Sequence, residues 1–406
     1  MPKANTARYN EKREAILDAG ARVLNRKGLS AVRLTDVAAE IGLKRPGIVY
    51  YFGNVEELAE ALYGRSLSQL ERRIEIAIER PTLRDRLAAL IDQELDHHAA
   101  ERRGEAIRRP QLGEIRALSG ARRRVLGRRY DRILRRVARL LETDETPGRL
   151  IRRLGPAHIV MESIFWLPAW LDEYEPWMFS RVRDALIDVH LHGFRNAPPP
   201  RAVPVIGEPP RVETPEIDQD SYLRMATRLI CDFGFRGASI DRIAAELGVT
   251  KGSFYHHIAQ KNELIETCFA HSQQRLSEIQ RRASERDLPP HDRLDAALAT
   301  VVKIQFEGRF PLLRVSALVA LESDARAKII VQAKRNFRWF ASEIAAGVAN
   351  GTLRSADPHV SAQVLGVAVN AVYDLARLYR GEVSSRDADV FCDLLRYGIA
   401  AGKGSN

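Results

Sequence analysis

The chain has 406 residues, enough for two to four domains of ordinary size, and its 45% hydrophobic content is that of a globular protein. Three scattered cysteines, Cys231, Cys268 and Cys392, exclude a disulfide scaffold; they predict a reducing compartment, with thiols in cores rather than at metals. A formal charge of +10 favours a polyanionic partner, because each phosphate neutralised by Lys or Arg releases counterions.

The first fifteen residues, MPKANTARYNEKREA, are polar and basic, lack the apolar run of a secretory signal, and read as a flexible arm. Ile16, Leu17, Val23 and Leu24 then recur at helical spacing until Gly28 stops the first helix. A second helix covers roughly Leu34 to Ile41, with Leu34, Val37, Ala38 and Ile41 on one face. After a turn at Gly42 and Leu43, Pro46 sits in the first turn of a third helix, where its missing N–H has no partner to lose. Ile48 and Phe52 face inward, Gly53 ends this helix, and Glu56, Leu58 and Leu62 open a longer one.

From about Ser66 to Asn196 the pattern is helical, with breaks at Pro81, Gly104, Pro110, Gly120, Thr146 to Gly148, Gly155 and Pro176, and no strand alternation. The apolar stretches Ile159 to Leu171 and Val364 to Ala376 are interrupted by Glu162 and Asp374 and are too short to span a bilayer, so a soluble, cytoplasmic protein without a membrane partner is expected. The proline-rich segment 197–220 predicts an extended, semi-rigid linker.

Beyond the linker the chain repeats itself. VAAEIGLKRPGIVYYF, from Val37 to Phe52, is matched by IAAELGVTKGSFYHHI, from Ile243 to Ile258; the turn glycines lie 206 positions apart (248 minus 42). The same shift places Gly28 on Gly234, Ala38 on Ala244, Glu40 on Glu246 and Leu58 on Leu264. In the second copy Leu223, Ala226, Leu229, Ile230 and Phe233 form the face of helix one, Gly234 closes it, and Ser239 and Thr250 are placed to cap helices two and three. Later breaks fall around Pro289 and Pro290, Gly308 to Pro311, Gly351, Pro358 and Gly381 to Ser385. The last helix ends near Gly398, opposite Gly193 at a shift of 205 (398 minus 193). The expected domains are a first helical head over 1–64, a helical domain over 65–196, the linker 197–220, a second head over 221–268 and a second helical domain over 269–406.

A short helix, a glycine turn and a second helix carrying donors at its N-terminus have the layout of a helix-turn-helix, whose second helix enters the major groove. Lys44, Arg45, Tyr50 and Tyr51 supply donors in the first copy; Thr250, Lys251, Ser253, Tyr255, His256 and Lys261 do so in the second. The stretch GASIDRIAAELGVTKGSFYHHIAQKNEL, and with more departures GLSAVRLTDVAAEIGLKRPGIVYYFGNVEEL, resembles the N-terminal domain of the tetracycline-repressor (TetR/AcrR) family of bacterial regulators. The likeness covers roughly 45 residues per copy and implies an all-α chain of two TetR-like units. Each unit would be a three-helix head followed by a helical ligand-binding and dimerisation domain, in a pseudo-twofold arrangement.

The resemblance implies a transcriptional repressor that leaves a double-stranded DNA operator when a small-molecule effector binds, with an architectural DNA-binding protein as the alternative. It assigns Thr250, Ser253, Tyr255 and Lys261 to phosphates, and Lys251, Gly252 and His256 to positions at or near base edges. The first copy's counterparts are Lys44, Gly47, Val49 and Val55, then Arg45, Pro46 and Tyr50. Val49, Val55 and Gly47 replace the tyrosine, lysine and hydroxyl of the pattern, and Arg33 stands where Ser239 caps, so the first head is expected to have lost phosphate contacts. Family members pair through their last two helices. Here Ala157 to Leu171 and Val182 to Phe194 are expected to bundle with Ser361 to Leu378 and Val390 to Ile399 as an intramolecular pseudo-dimer, leaving open a further homodimer of whole chains.

Aromatic groups at Phe165, Trp166, Trp170, Tyr174, Trp177 and Met178, and at Phe306, Phe310, Phe337, Trp339, Phe340, Tyr373 and Tyr379, are read first as core or dimer face. An arginine-rich stretch from Arg102 to Arg136 is read first as a solvated helical face; a site for an anionic ligand or an extra DNA contact stands beside it. No enzyme motif, metal site or cofactor is expected: His97, His98, Asp188, His190 and His192 lack acidic or cysteine partners at zinc-like spacing.

Overall fold

In the computed structural model the described residues are 3–110, 112–142, 150–195, 206, 218–257, 261–314, 317, 318, 321 and 323–400. The first half runs α1 (Lys3–Ala31), α2 (Leu34–Glu40), α3 (Arg45–Val49), α4 (Val55–Ile78), α5 (Leu83–Arg102), a 3-10 segment (Leu112–Ala117), α6 (Gly120–Leu140), α7 (Leu150–Trp170) and α8 (Phe179–His192). The second half runs α9 (Gln219–Gly237), α10 (Ile240–Leu247), α11 (Lys251–His257), α12 (Lys261–Ser284), α13 (Pro290–Glu307), α14 (Ser323–Ala349), α15 (Pro358–Leu378) and α16 (Ala388–Tyr397). Shifted by 206, α4 lands on α12 end for end, and the other helices fall on their counterparts within a few residues, except that α1 starts ten residues earlier than α9. The duplication therefore extends over both halves, and no strand occurs among the described residues.

Three sequence expectations are corrected. The N-terminal residues from Lys3 do not form an arm but extend α1, which a stretch free of proline and glycine permits; Tyr9 on this extension stacks on Tyr51, with ring centroids 4.8 Å apart. Gly155 does not break a helix: α7 runs through it and through Pro156 and Pro168, because its missing side chain lets Leu394 of α16 press against the backbone. Trp177 stands 78% exposed and makes no ring contact among the described residues. Of the linker only Ile206 and residues 218–220 are described; Ile206 is buried and donates its N–H to Thr300 Oγ1 at 3.1 Å, and α9 already starts at Gln219. The predicted break at 146–148 lies outside the described residues.

The halves meet through α7 and α15, flanked by α8 and α16, a four-helix bundle related by a pseudo-twofold. Burial of apolar side chains drives this contact, and one apolar core runs without interruption from the first head through both regulatory halves. The axis passes between Gly193 and Gly398. Phe194 and Arg195 donate their N–H groups to the Arg396 carbonyl at 2.9 and 2.8 Å; in return Ile399 and Ala400 donate to the carbonyls of His190 and Leu191, both at 2.9 Å. Each helix end so satisfies carbonyls of the other that would otherwise lack a partner. Both glycines have positive φ, 63° and 71°, and a Cβ on either would lie 2.2 to 2.4 Å from backbone atoms of the opposite half. Beneath the seam, buried Asp295 is ion-paired with Arg195 (2.8 Å) and Arg396 (3.0 Å), one arginine from each half.

Candidate nucleic-acid interface

Each head is a triangle of three helices closed by the next long helix. Ile16, Leu17, Val37, Ile48, Phe52 and Leu58 fill the first head, and Tyr222, Ile230, Ile243, Phe254, Leu264 and Phe269 fill the second. Ile48 and Phe254, counterparts at the shift of 206, are fully buried and anchor the recognition helices α3 and α11. Gly42 (φ 65°) and Gly248 (φ 70°) make the turns, a left-handed conformation that side chains resist. One ion pair is kept in both heads: Arg22 holds Glu40 at 3.0 Å, and Arg228 holds Glu246 at 2.6 Å.

The outward faces differ. In the first head Lys44, Arg45, Pro46 and Tyr50 are exposed, Tyr50 at 74%, and neither Lys44 nor Arg45 has a carboxylate partner among the described residues. Gly47 is half-buried; Tyr51 is half-buried as well, packed between Tyr9 and Tyr50, so it shapes an aromatic ridge rather than standing free. α2 lacks a capping side chain at Arg33; instead Asp36 accepts the Arg33 N–H at 3.1 Å.

In the second head both predicted caps form. Ser239 Oγ accepts from Arg242 N–H at 3.2 Å, and Thr250 Oγ1 accepts from Ser253 N–H at 3.3 Å. Thr250, Lys251, Gly252 and Tyr255 are exposed; Lys251 reaches Asp241 at 2.5 Å, but both partners are largely solvated, so the pair holds it loosely. Ser253 is half-buried and its hydroxyl shares a 2.6 Å hydrogen bond with the Tyr222 hydroxyl, a link absent from the first head, where Ile16 and Gly47 stand. His256 and Lys261 lie in helices, but their side chains are outside the described set.

The arginine-rich stretch is not a simple solvated face. Arg122 is paired with Glu56 and Glu60, Arg129 with Glu71 and Arg136 with Glu75, so one side of α6 is clamped to α4, the helix that leaves the first head. Arg116 binds Asp374 and the Cys231 carbonyl across the halves. Sequence reasoning missed these pairings; the acidic residues of α4 were their visible signal. The histidines are structural: His98 is buried against Asp172 at 2.9 Å, His190 is buried, and Asp188 is held by Arg354. All three cysteines are free and buried.

The family model described as "Bacterial regulatory proteins, tetR family" matches residues 16–62 and 223–268, the two heads. Both heads are of the tetR type. Similar proteins include the uncharacterized HTH-type transcriptional regulator YhgD of Bacillus subtilis (strain 168), 23% identical over 144 residues, which are 35% of this chain and 75% of that protein. The transposon Tn10 TetC protein of Escherichia coli is 39% identical over 49 residues, 12% of this chain and 25% of that one. Among solved structures, apo AibR covers 44% of this chain and is itself covered to 98%, at 24% identity and a TM-score of 0.37. With two helix-turn-helix heads that match this model, the chain is a DNA-binding transcriptional regulator, and no helix among its described residues is long and apolar enough to cross a membrane.

Proposed function

We propose that the chain is a ligand-responsive repressor that reads an asymmetric operator as a single molecule and leaves it when a small molecule binds. The observation that carries this reading is the reciprocal seam at Gly193 and Gly398, with two heads of different surface chemistry on either side of one bundle. In a homodimer both recognition helices are the same sequence, and the operator is correspondingly palindromic. Here Lys44, Arg45, Pro46, Gly47, Tyr50 and Tyr51 face one half-site, and Thr250, Lys251, Gly252, Ser253, Tyr255, His256 and Lys261 face the other. Backbone N–H groups at the starts of α3 and α11, together with the lysines, take phosphates, while Arg45 and Lys251 reach base edges. Genomic footprinting of the purified chain tests the reading: it predicts protected sites with two unlike half-sites about one helical turn apart, released by a metabolite. Failure to retain any specific DNA overturns it, and specific retention that no metabolite reverses favours an architectural role.

A further inference from the structure

A cavity of about 520 Å³ opens where the halves meet, in the volume range of small-molecule sites. Leu112, Tyr130 and Phe165 from the first half and Phe233, Tyr373 and Leu378 from the second give it an apolar, aromatic part; of the carboxyl groups that also line it, Asp374 is paired with Arg116 and Asp232 with Arg377, and burial raises the pKa of Glu162. Arg123, Arg124 and Arg128 of α6 line it too, and none of the three has a carboxylate partner among the described residues, although Arg122 and Arg129 beside them are paired. His158, 1% exposed, lines the cavity with a buried Nε2 that has no hydrogen-bond partner. The buried His158 Nε2 without a partner is unfavourable until something fills the site, whereas Arg124 and Arg128, exposed, and Arg123, half-buried, are solvated at the mouth and free to turn to a ligand.

The pseudo-twofold carries this place onto a second cavity of about 470 Å³, beside Asn25, Leu318 and Ile330. There the rim has changed. Ile329 and Ile330 stand at the positions of Arg123 and Arg124, and Lys334, the counterpart of Arg128, is paired with Glu173 at 2.6 Å. The charges that remain are matched internally, Glu94 by Arg73 (2.8 Å) and Arg109 (2.7 Å), and Glu101 by Arg108 (3.1 Å). One of two equivalent sites has kept three arginines without carboxylate partners among the described residues; at the other, two of these positions are isoleucine and the third is paired.

We infer that the first cavity is a single, asymmetric effector site for a soluble amphiphile with an apolar body and a phosphate-ester end, which acts on the second head alone. Three guanidinium groups suit a multi-oxygen phosphate, whereas a carboxylate is satisfied by one fork. The wall includes Cys231, Asp232 and Phe233, the turn of α9 just before its break at Gly234, and α9 holds the recognition helix α11 through Tyr222 and Ser253. A ligand seated there presses α9 from the first half's side, and α11 moves with it. The first head has no wall in this cavity.

The inference rests on the reading of the chain as a ligand-responsive regulator and is tested on the full chain by calorimetric titration with octyl phosphate below its micelle-forming concentration. One molecule per chain is expected, with octanol and inorganic phosphate each at least tenfold weaker. The R123Q/R124Q/R128Q variant is expected to lose at least tenfold in affinity. So is Gly127→Leu, because Gly127 lines the cavity and a Cβ there meets nothing within 4 Å, so bulk is added without strain. Two molecules per chain, no saturable binding, or unchanged affinity in both variants overturns the inference. If specific DNA binding persists and other compounds release it while octyl phosphate does not bind, this site fails and the regulator reading stands; if no specific DNA is retained, the regulator reading itself fails.

Discussion

The two heads match helix for helix, down to the Arg22–Glu40 pair and its counterpart Arg228–Glu246, yet present different chemistry to a groove. The first offers Lys44 and Arg45, without carboxylate partners among the described residues, behind a tyrosine ridge; the second offers capped helices, a lysine and a serine hydroxyl held in place by Tyr222. What each head needs in order to fold has been kept, and what faces outward has diverged. In a homodimer a change in one recognition helix is a change in both, whereas tandem copies are free to separate. The two junction cavities show the same divergence, with Arg123 and Arg124 facing Ile329 and Ile330 across the pseudo-twofold.

The most drastic way to separate the heads is through their cores. The second head lies in an apolar cluster, shared with Leu313, Leu318, Leu321, Ile329 and Tyr373, that is separate from the main core, while the first head is continuous with that core. Phe254→Ala, at a fully buried anchor, is expected to cost about 4 kcal/mol. Hydrogen exchange should then show lost protection confined to the second head and its neighbours, whereas Ile48→Ala should loosen the body as well. Equal, global loss in both variants contradicts the difference in cores.

Next in size is the seam. Gly193→Ala combines a left-handed backbone with a Cβ 2.2 Å from the Arg396 carbonyl oxygen, and should lower stability by about 3 kcal/mol or more. Gly104→Ala, also at positive φ but with nothing within 4 Å, should cost only about 1 kcal/mol. Thermal unfolding of the two variants compares them directly.

The cavities differ in a titrating group as well. Burial pushes the Glu162 carboxyl up to about 8, with Asp374 adding to the shift and Arg116 opposing it; its counterpart is Ala368. A carboxyl raised in this way keeps its proton in the folded state at pH values where the unfolded chain has lost it. The folded state then binds more protons between the two values, and stability falls as pH rises from the ordinary glutamate range toward 8. Glu162→Gln should therefore gain stability over the parent between pH 5 and pH 8, on the order of 3 kcal/mol. Burial drives neighbouring His158 down to about 4, an opposite slope common to both proteins that cancels in the difference. A gain independent of pH contradicts the account of Glu162.

Smallest are the caps and charges. Thr250→Ala removes a capping oxygen and should cost about 1 kcal/mol locally, whereas Lys44→Ala, at the equivalent place without a cap, should leave stability unchanged. Lys44→Ala should instead lower the salt dependence of DNA affinity by about one counterion.

Much of this was legible in the sequence. The 206-residue shift, the turn glycines, the caps at Ser239 and Thr250 and the bundle helices rest on local periodicity and backbone preference, which a single stretch of chain carries. What was not legible depends on residues far apart in the chain. Nothing near Arg116 says that it binds the Cys231 carbonyl, and a Gly-Pro pair reads as a helix break unless the helix pressing on Gly155 is known. The arginines of α6 look alike in sequence; only the position of α4 sorts Arg122 and Arg129, which are paired, from Arg123, Arg124 and Arg128, which have no carboxylate partner among the described residues.

The central claim is that one chain supplies both halves of a DNA-reading pair. Sedimentation of the free protein and of its complex with a footprinted operator tests it most directly. A monomer that binds one operator as a single chain, protecting two unlike half-sites, is the predicted result; a dimer in which equivalent halves pair between chains, with two chains on each operator, contradicts it.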